Sequence, residues 1–414
     1  MSTRRELLRL GLGSGAWAVV SCKGGAVAVD TGPVGGVEPS DSSTPLDTQP
    51  FDSGRPSDSA DTGTPCEDLW KRGTFEAVVP FSDQSGVVFH EKLESGLDAR
   101  IVTDLAELDA DHLEIDNDRF MLRSETPHLL SADASWTVRV QGLVDTPYDL
   151  EVGALVPSDQ GAVLIECSGN SASRAYGLMA ACRWGGVSLA DVLDAAAVQS
   201  GATMVKVSGA DDYLNDGSGH STVGAAWVFP LDQLEGAFLA TTMNGEALPS
   251  DHGWPVRLMV PGWYGCCLIK WVSSIELVDD SEPATSQMQE FASRIQQSSH
   301  SLAKDYEPAT MTPCAMPVRV ERWSLDGGTV YRVVGILWGD GAPAKGLQVR
   351  FGSGGPWEDV AVCPAVTSNA TWTLWEHLWR PVASGSVTLR CRIDAPALDT
   401  PRLDDGYYDR SVTV

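Results

Sequence analysis

The chain reads as an α+β domain followed by a β-sandwich. Between Trp70 and about Asp280, short apolar strands alternate with helical stretches. From Val318 onward short β runs recur between Gly, Pro and Asp breaks. Length sets the scale: 414 residues at 43% hydrophobic content are enough for two packed domains.

The first residues are a targeting segment rather than fold. Thr3-Arg4-Arg5-Glu6-Leu7-Leu8 resembles a twin-arginine export signal, and a Gly-diluted apolar stretch runs from Leu10 to Ser21. That stretch is too short to remain as a membrane-spanning helix. It ends in Val19-Val20-Ser21-Cys22, which resembles a bacterial lipobox, so residues 1–22 are expected to be a lipoprotein signal with Cys22 as the lipidated anchor. The alternative is an ordinary signal with a chance cysteine. Residues 23–66 are Gly, Ser, Thr, Asp and Pro with almost no large apolar side chains. Such a stretch buries too little surface to offset its ordering entropy. It reads as a tether of roughly 35 Å r.m.s. span. The expected product is an exported lipoprotein, periplasmic or at the cell surface.

The first domain is expected over 70–285. Ser135 to Gly142 alternates apolar and polar residues as a half-buried strand does. Ser188 to Gln199 carries Leu189, Val192 and Leu193 at helical spacing, with Ser188 as N-cap. Pro230 to Leu234 opens a short helix, and Val256–Val260 and Leu268–Val272 are apolar strands divided by a Pro-Gly turn. A polar, partly helical connector follows over 286–312. In the second domain, 313–414, strands are expected at Val318–Trp323, Val330–Trp338, Leu347–Phe351, Trp372–Trp379 and Ser386–Ile393.

The formal charge of −27 argues against nucleic acid, whose phosphates such a surface repels, and favours a basic protein partner. Nine cysteines are present, at 22, 66, 167, 182, 266, 267, 314, 363 and 391. Their pairing is not deducible from spacing. No Cys-x-x-Cys-His occurs, so no covalent haem is expected in this chain. Cys266 and Cys267 read as small buried residues rather than ligands. Asp216-Gly217-Ser218-Gly219-His220 fits neither a phosphate loop nor a calcium loop and reads as a turn. A cysteine-protease pairing of Cys167 with a distant His has no supporting local wording.

Cys167 is the informative thiol. It stands in Leu164-Ile165-Glu166-Cys167-Ser168-Gly169-Asn170, at the end of an apolar strand. Trp184-Gly185-Gly186-Val187 follows, then Asp251-His252-Gly253-Trp254-Pro255-Val256-Arg257, Val260-Pro261-Gly262 and Lys270-Trp271. In this order the segments resemble the sulfite oxidase family of molybdopterin-dependent oxidoreductases, and Glu-Cys-Ser-Gly-Asn is similar to its bacterial sulfite and sulfane dehydrogenase branch. The resemblance covers about Val88 to the C-terminus.

It implies a mixed α/β molybdopterin-binding domain followed by an immunoglobulin-like domain that mediates dimerisation; Trp372-Thr373-Leu374-Trp375-Glu376 resembles a strand of the latter. It also implies a molybdenum–molybdopterin cofactor with Cys167 as the one protein ligand to the metal, a soft donor for a polarizable ion. Phe120 and Arg123 match the entry segment beside the cofactor. Asp211, in Gly209-Ala210-Asp211, matches the turn that contacts the pterin. His252, Arg257 and Lys270 match further cofactor positions. Trp184 matches a pocket Trp and Tyr306 an active-site Tyr, so Arg123 and Tyr306 are expected to orient substrate and Trp184 to wall the pocket.

Other positions depart from the family pattern. Ala172 stands where an anion-binding Arg is usual, with Arg174 two positions away, and Ser368 or Asn369 occupies a second such place. Ser124-Glu125 replaces the usual Asn-His. Fewer fixed cations bind a dianion less well. The implied activity is oxygen-atom transfer on a small sulfur compound, with electrons passed to an external carrier such as a cytochrome c. A sulfoxide reductase of the same fold, or a non-catalytic lipoprotein retaining it, are the alternatives.

Overall fold

Antiparallel strand pairing builds most of this molecule. The computed structural model describes residues 70–414 except 129, 131–134, 212–222, 340–345, 363–370 and 394–399. The signal, Cys22, the tether, the Gly-rich turn at 216–220 and the positions at 368–370 lie outside the described residues. Among the described residues no helix is long and apolar enough to cross a membrane.

After β1 (Thr74–Val79) come two short strands, β2 (Arg100–Ile101) and β3 (Leu122–Arg123), paired with each other. β4 (Thr137–Gly142) buries Val138 and Val140 and exposes Thr137 and Arg139, the period-two pattern of a half-buried strand. Then follow β5 (Tyr148–Glu151), β6 (Ser158–Glu166), β7 (Met179–Ser188), α1 (Leu189–Ala196), β8 (Met204–Gly209), β9 (Ala226–Pro230), β10 (Phe238–Met243), β11 (Glu246–Ala247), β12 (Arg257–Met259), β13 (Val272–Val278) and α2 (Ser286–Phe291). One sheet runs β11-β10-β7-β6 with β12 also on β10, and a second runs β5-β4-β13-β8-β9.

Three local expectations change. The helix at 188–199 ends at Ala196, because Ala197 turns left-handed at φ 55°, and the Ser188 side chain makes no capping hydrogen bond. The helix at 230–234 is one 3₁₀ turn, Leu231–Gln233. The run Leu268–Val272 joins the strands only at its end: Gly265–Cys267 is a 3₁₀ turn and Trp271, at φ 52°, breaks the extended backbone before β13. Lys270 still bridges Arg257 across the turn.

The second half contains β14 (Cys314–Leu325), β15 (Gly328–Trp338), β16 (Leu347–Phe351), β17 (Trp357–Asp359), β18 (Ala361–Val362), β19 (Thr373–Trp379), β20 (Ser386–Ile393), α3 (Pro401–Asp404) and β21 (Arg410–Thr413). Asp326 and Gly327, both at positive φ, close the β14–β15 hairpin, the twist-matched two-residue turn. Two sheets, β1-β14-β15-β19-β18 and β17-β16-β20-β21, share one apolar core. Val320, Val333 and Trp375 enter it from one side and Val349, Leu389 and Val412 from the other.

β1 is a correction. The sequence places it at the start of the first domain, but Val79 pairs with Val320 and Thr74 with Ser324, so it is the edge strand of the sandwich. The core also disregards the division near 312. Met316, Val318, Trp338 and Trp372 pack in the same cluster as Ile165, Trp184 and Leu258.

Candidate active site

β6 ends at Glu166 and delivers Cys167 into a tight turn. The Cys167 amide donates to Leu178 O at 2.9 Å, and the Asn170 amide donates to Cys167 O at 2.8 Å. The thiol, on a residue 8% exposed, lines a cavity of about 130 Å³. Phe120, Arg123, Asp211, His252, Arg257 and Lys270 line the same cavity. Residues scattered over 150 positions of sequence therefore meet around one thiol. Burial raises the Cys167 pKa, while the Gly169 amide, Arg123 and Arg294 oppose the shift.

The cavity holds more cation than its own carboxylate balances. The Arg257 guanidinium is buried and donates to His252 O (3.0 Å) and Leu268 O (3.4 Å). Its Nε has no hydrogen-bond partner among the described residues. Burial lowers its pKa to about 10. Lys270 Nζ donates to three backbone carbonyls, of Arg123 (3.2 Å), Ser124 (2.7 Å) and Asp251 (2.8 Å). An ammonium has three hydrogens. Lys270 thus ties β3 to the 251 turn. Burial, then neighbouring Arg257, hold its pKa well below the usual lysine range. His252 is 4% exposed, and burial followed by Lys270 and Arg257 pushes its pKa to about 3. It is a neutral imidazole at ordinary pH. Arg123 donates to Leu97 O and faces Asp98 at 3.3 Å. Asp211, whose pKa burial raises, accepts from the Ala225 amide at 2.7 Å.

Trp184 and Tyr306 fall elsewhere. Trp184, 1% exposed, lies behind the lining: its Nε1 donates to Val163 O at 3.2 Å, its ring meets Phe120 edge-on, and Arg257 sits 5.3 Å above it. β7 is buried along almost its whole length, so an inward Trp there meets core before it meets the cavity. The Tyr306 hydroxyl accepts from the His300 amide at 3.0 Å and its ring packs edge-on against His300. Tyr306 is absent from the cavity lining and fixes its own loop.

Two groups of site residues carry no sequence signal. Gln287 and Phe291, from α2, reach the cavity rim; Gln287 Nε2 donates to Cys266 O at 2.8 Å and its Oε1 accepts from the Ala226 amide at 2.8 Å. Only the Thr285 cap, which accepts from the Met288 amide at 3.1 Å, hints at that helix. The second group comes from 402–408. Arg402 donates to Ser168 O (2.9 Å) and Arg294 O (2.6 Å), Tyr407 donates to Asn170 O, and Tyr408 donates to Glu166 Oε1 (2.7 Å). Trp338 Nε1 reaches the other oxygen of Glu166 at 3.0 Å. The turn bearing Cys167 is thus gripped from the C-terminal half at three successive points.

Comparison with known proteins agrees with this geometry. Residues 124–286 match the oxidoreductase molybdopterin binding domain. Sulfite oxidase of Gallus gallus is 26% identical over 331 residues, which is 68% of this chain and 66% of that protein. Residues 124–286 are thus a molybdopterin-binding oxidoreductase domain, and the chain is similar to sulfite oxidase. The nitrate reductase (NADH) of Spinacia oleracea is 34% identical over 158 residues, 34% of this chain. The chain spans only 17% of that reductase's length. In fold, the chain is similar to the sulfane dehydrogenase SoxCD from Paracoccus pantotrophus, with a TM-score of 0.57 at 16% identity over 84% of this chain and 85% of the other.

Proposed function

We propose that this chain is an exported molybdenum–molybdopterin oxidoreductase acting on a small sulfur compound. One observation carries the proposal: a buried, cation-rich cavity converges on the thiol of Cys167. A phosphate-bearing pterin is an anion with many hydrogen-bonding edges, and it suits the buried guanidinium of Arg257 with its orphaned Nε. Cys167 would hold the metal, and Arg123, Asp211, His252 and Arg257 would hold the pterin and its phosphate. Bound, the group supplies oxygen-atom transfer and a two-electron redox couple.

The chain's own residues then bind, orient and exclude water. Phe120 and Phe291 give the cavity apolar walls, which strengthen every charge interaction inside it. His252, neutral, serves as a hydrogen-bonding group without adding charge. Arg123, held by Leu97 and Asp98, presents a fixed fork beside the thiol.

Electrons leave to a separate one-electron carrier such as a cytochrome c, and the net charge of −27 favours a basic one. The two C-terminal sheets act as an immunoglobulin-like module through which two chains pair. Cys22 anchors the exported protein to a membrane, with 23–66 as tether. The test is molybdenum and pterin content of protein exported with its own signal, beside Cys167→Ser. Stoichiometric metal in the wild type and its loss or altered Mo(V) resonance in the variant are expected. Folded protein lacking both metal and pterin refutes the reading. Sulfite-dependent cytochrome reduction against sulfoxide-dependent dye oxidation decides the direction.

A further inference from the structure

We infer that Cys266 and Cys267 are a vicinal dithiol in the wall of the cavity, a modification site that a small peroxide closes to a disulfide and a thiol reductant reopens. The dithiol stands on geometry alone. Only its protection by a bound cofactor rests on the function proposed above.

Adjacent cysteines need not bring their sulfurs together, but these do. They occupy the 3₁₀ turn Gly265–Cys267, and their Sγ atoms lie 3.9 Å apart. Cys266, on a residue 8% exposed, lines the cavity, whereas Cys267, at 0%, lies behind the lining. That difference assigns the roles. A peroxide entering the cavity meets Cys266, and Cys267 waits within reach as the resolving thiol. Cys182, Cys314 and Cys391 are also free and buried, but none of them lines the cavity.

The turn itself is pinned. Cys266 O accepts from Gln287 Nε2 at 2.8 Å, and the Cys267 amide donates to Tyr264 O at 2.9 Å. Gly265 packs so closely on β6 that a Cβ there would stand 3.2 Å from Glu166 O and 3.1 Å from Ile165 Cγ2. The sulfurs must therefore close by side-chain rotation, over about 2 Å in total. Neighbouring Cα atoms are about 3.8 Å apart, less than the roughly 4.4–6.8 Å usual across a disulfide. A bond made here is strained and readily reduced, which suits a reversible switch better than a structural staple. Cys266 shares the cavity with Cys167, so closing the bond reshapes the wall that faces the reactive thiol.

The chemistry balances with hydrogen peroxide as oxidant. The Cys266 sulfur attacks one peroxide oxygen, the O–O bond breaks, and water leaves a sulfenic acid on Cys266. The Cys267 sulfur then displaces that hydroxyl as a second water, and the S–S bond forms. Two thiols give up two electrons, the peroxide takes them, and both thiol hydrogens end in water.

The test treats the full-length chain with peroxide, alkylates it after unfolding, and reads the 266–267 peptide by mass spectrometry. In cofactor-free protein that peptide should lose both alkyl groups and weigh two hydrogens less, and dithiothreitol should restore both. Cys267→Ser should halt the reaction at a Cys266 sulfenic acid, trapped by dimedone, and Cys266→Ser should leave Cys267 fully alkylated. The wild-type readout needs neither variant to fold. Both alkyl groups persisting after peroxide, or a Cys266 cross-link to Cys167 in place of Cys267, overturns the dithiol. With molybdopterin bound, the cofactor should cover Cys266 and slow the oxidation. Equal rates in loaded and cofactor-free protein leave the dithiol standing and refute this cavity as the cofactor's place.

Discussion

Replacing Glu166 by Gln should cost this fold several kcal/mol while leaving its shape nearly unchanged. The carboxylate is 1% exposed. It accepts from Tyr408 at 2.7 Å and Trp338 at 3.0 Å, with the Asn170 amide group at 3.4 Å and Arg402 at 3.8 Å. A hydrogen bond to a charged acceptor contributes about 1 kcal/mol more than one to a neutral acceptor. Two well-formed ones therefore lose about 2 kcal/mol on neutralisation. Arg402, 5% exposed, is left as a buried cation facing carbonyls, a hydroxyl and the rings of Tyr264 and Tyr407, with no carboxylate beside it among the described residues. Breaking a buried pair from one side costs about 3–5 kcal/mol in total, so the unpaired cation adds to the loss from the two hydrogen bonds. Guanidinium denaturation of the full chain, followed by tryptophan fluorescence and circular dichroism, measures the change. Tyr408→Phe and the double variant complete a cycle, and a coupling of about 1 kcal/mol or more is expected between the two sites. A loss below about 1 kcal/mol for Glu166→Gln would mean that water already solvates this carboxylate, and the claim of a dry clamp beneath Cys167 would be wrong.

Trp184→Phe should lower stability by about 2 kcal/mol through the lost bond to Val163 O and the contact under Arg257, with substrate KM within about twofold of wild type; a large KM change in a stable variant would return Trp184 to the pocket wall. Tyr306→Phe should cost about 1 kcal/mol and leave kcat unchanged, because its hydroxyl serves the His300 amide. In cofactor-free protein, His252 has a folded pKa near 3, below its unfolded value, so the unfolded chain takes the proton first. Its contribution to stability is whole above about pH 6.5 and falls by about 2 kcal/mol by pH 5. His252→Gln should flatten that limb, and parallel denaturation curves for the two proteins would refute it. Gly335→Ala should cost about 1–3 kcal/mol in thermal or chemical unfolding, since its methyl would overlap the Trp375 ring and Met316 O.

How much of this was legible in sequence depended on how local the signal was. β4 announced itself through alternation within six residues, and the hairpin at Asp326-Gly327 sits where strand runs flank a turn dipeptide. The lining residues Phe120, Arg123, Asp211, His252, Arg257 and Lys270 were legible because each carries its own short wording. Wording names a residue but not the direction of its side chain. Trp184 and Tyr306 therefore landed in core and loop. β1 was misplaced because its partner, β14, lies more than 200 residues along the chain and leaves no mark on 74–79 itself. The 402–408 segment escaped for the same reason: its meaning comes only from packing against Glu166, Ser168 and Asn170. Lys270 was half-legible: its place at the cavity followed from the motif, but the three carbonyls that occupy its hydrogens did not.

The grip on the Cys167 turn also has a history in time. Arg402 meets Ser168 across 234 residues, and Tyr408 meets Glu166 across 242. At ribosomal speeds of about 5–20 residues per second, the turn is synthesised roughly 10–50 seconds before its clamps exist. During that interval β6 can pair with β7, yet the buried carboxylate and the two carbonyls on the turn have none of their distant partners. A nascent chain therefore carries an unlocked thiol loop. Closure comes only when the 402–408 segment has been made and docked, which makes α3 and the turn after it gatekeepers of the Cys167 turn.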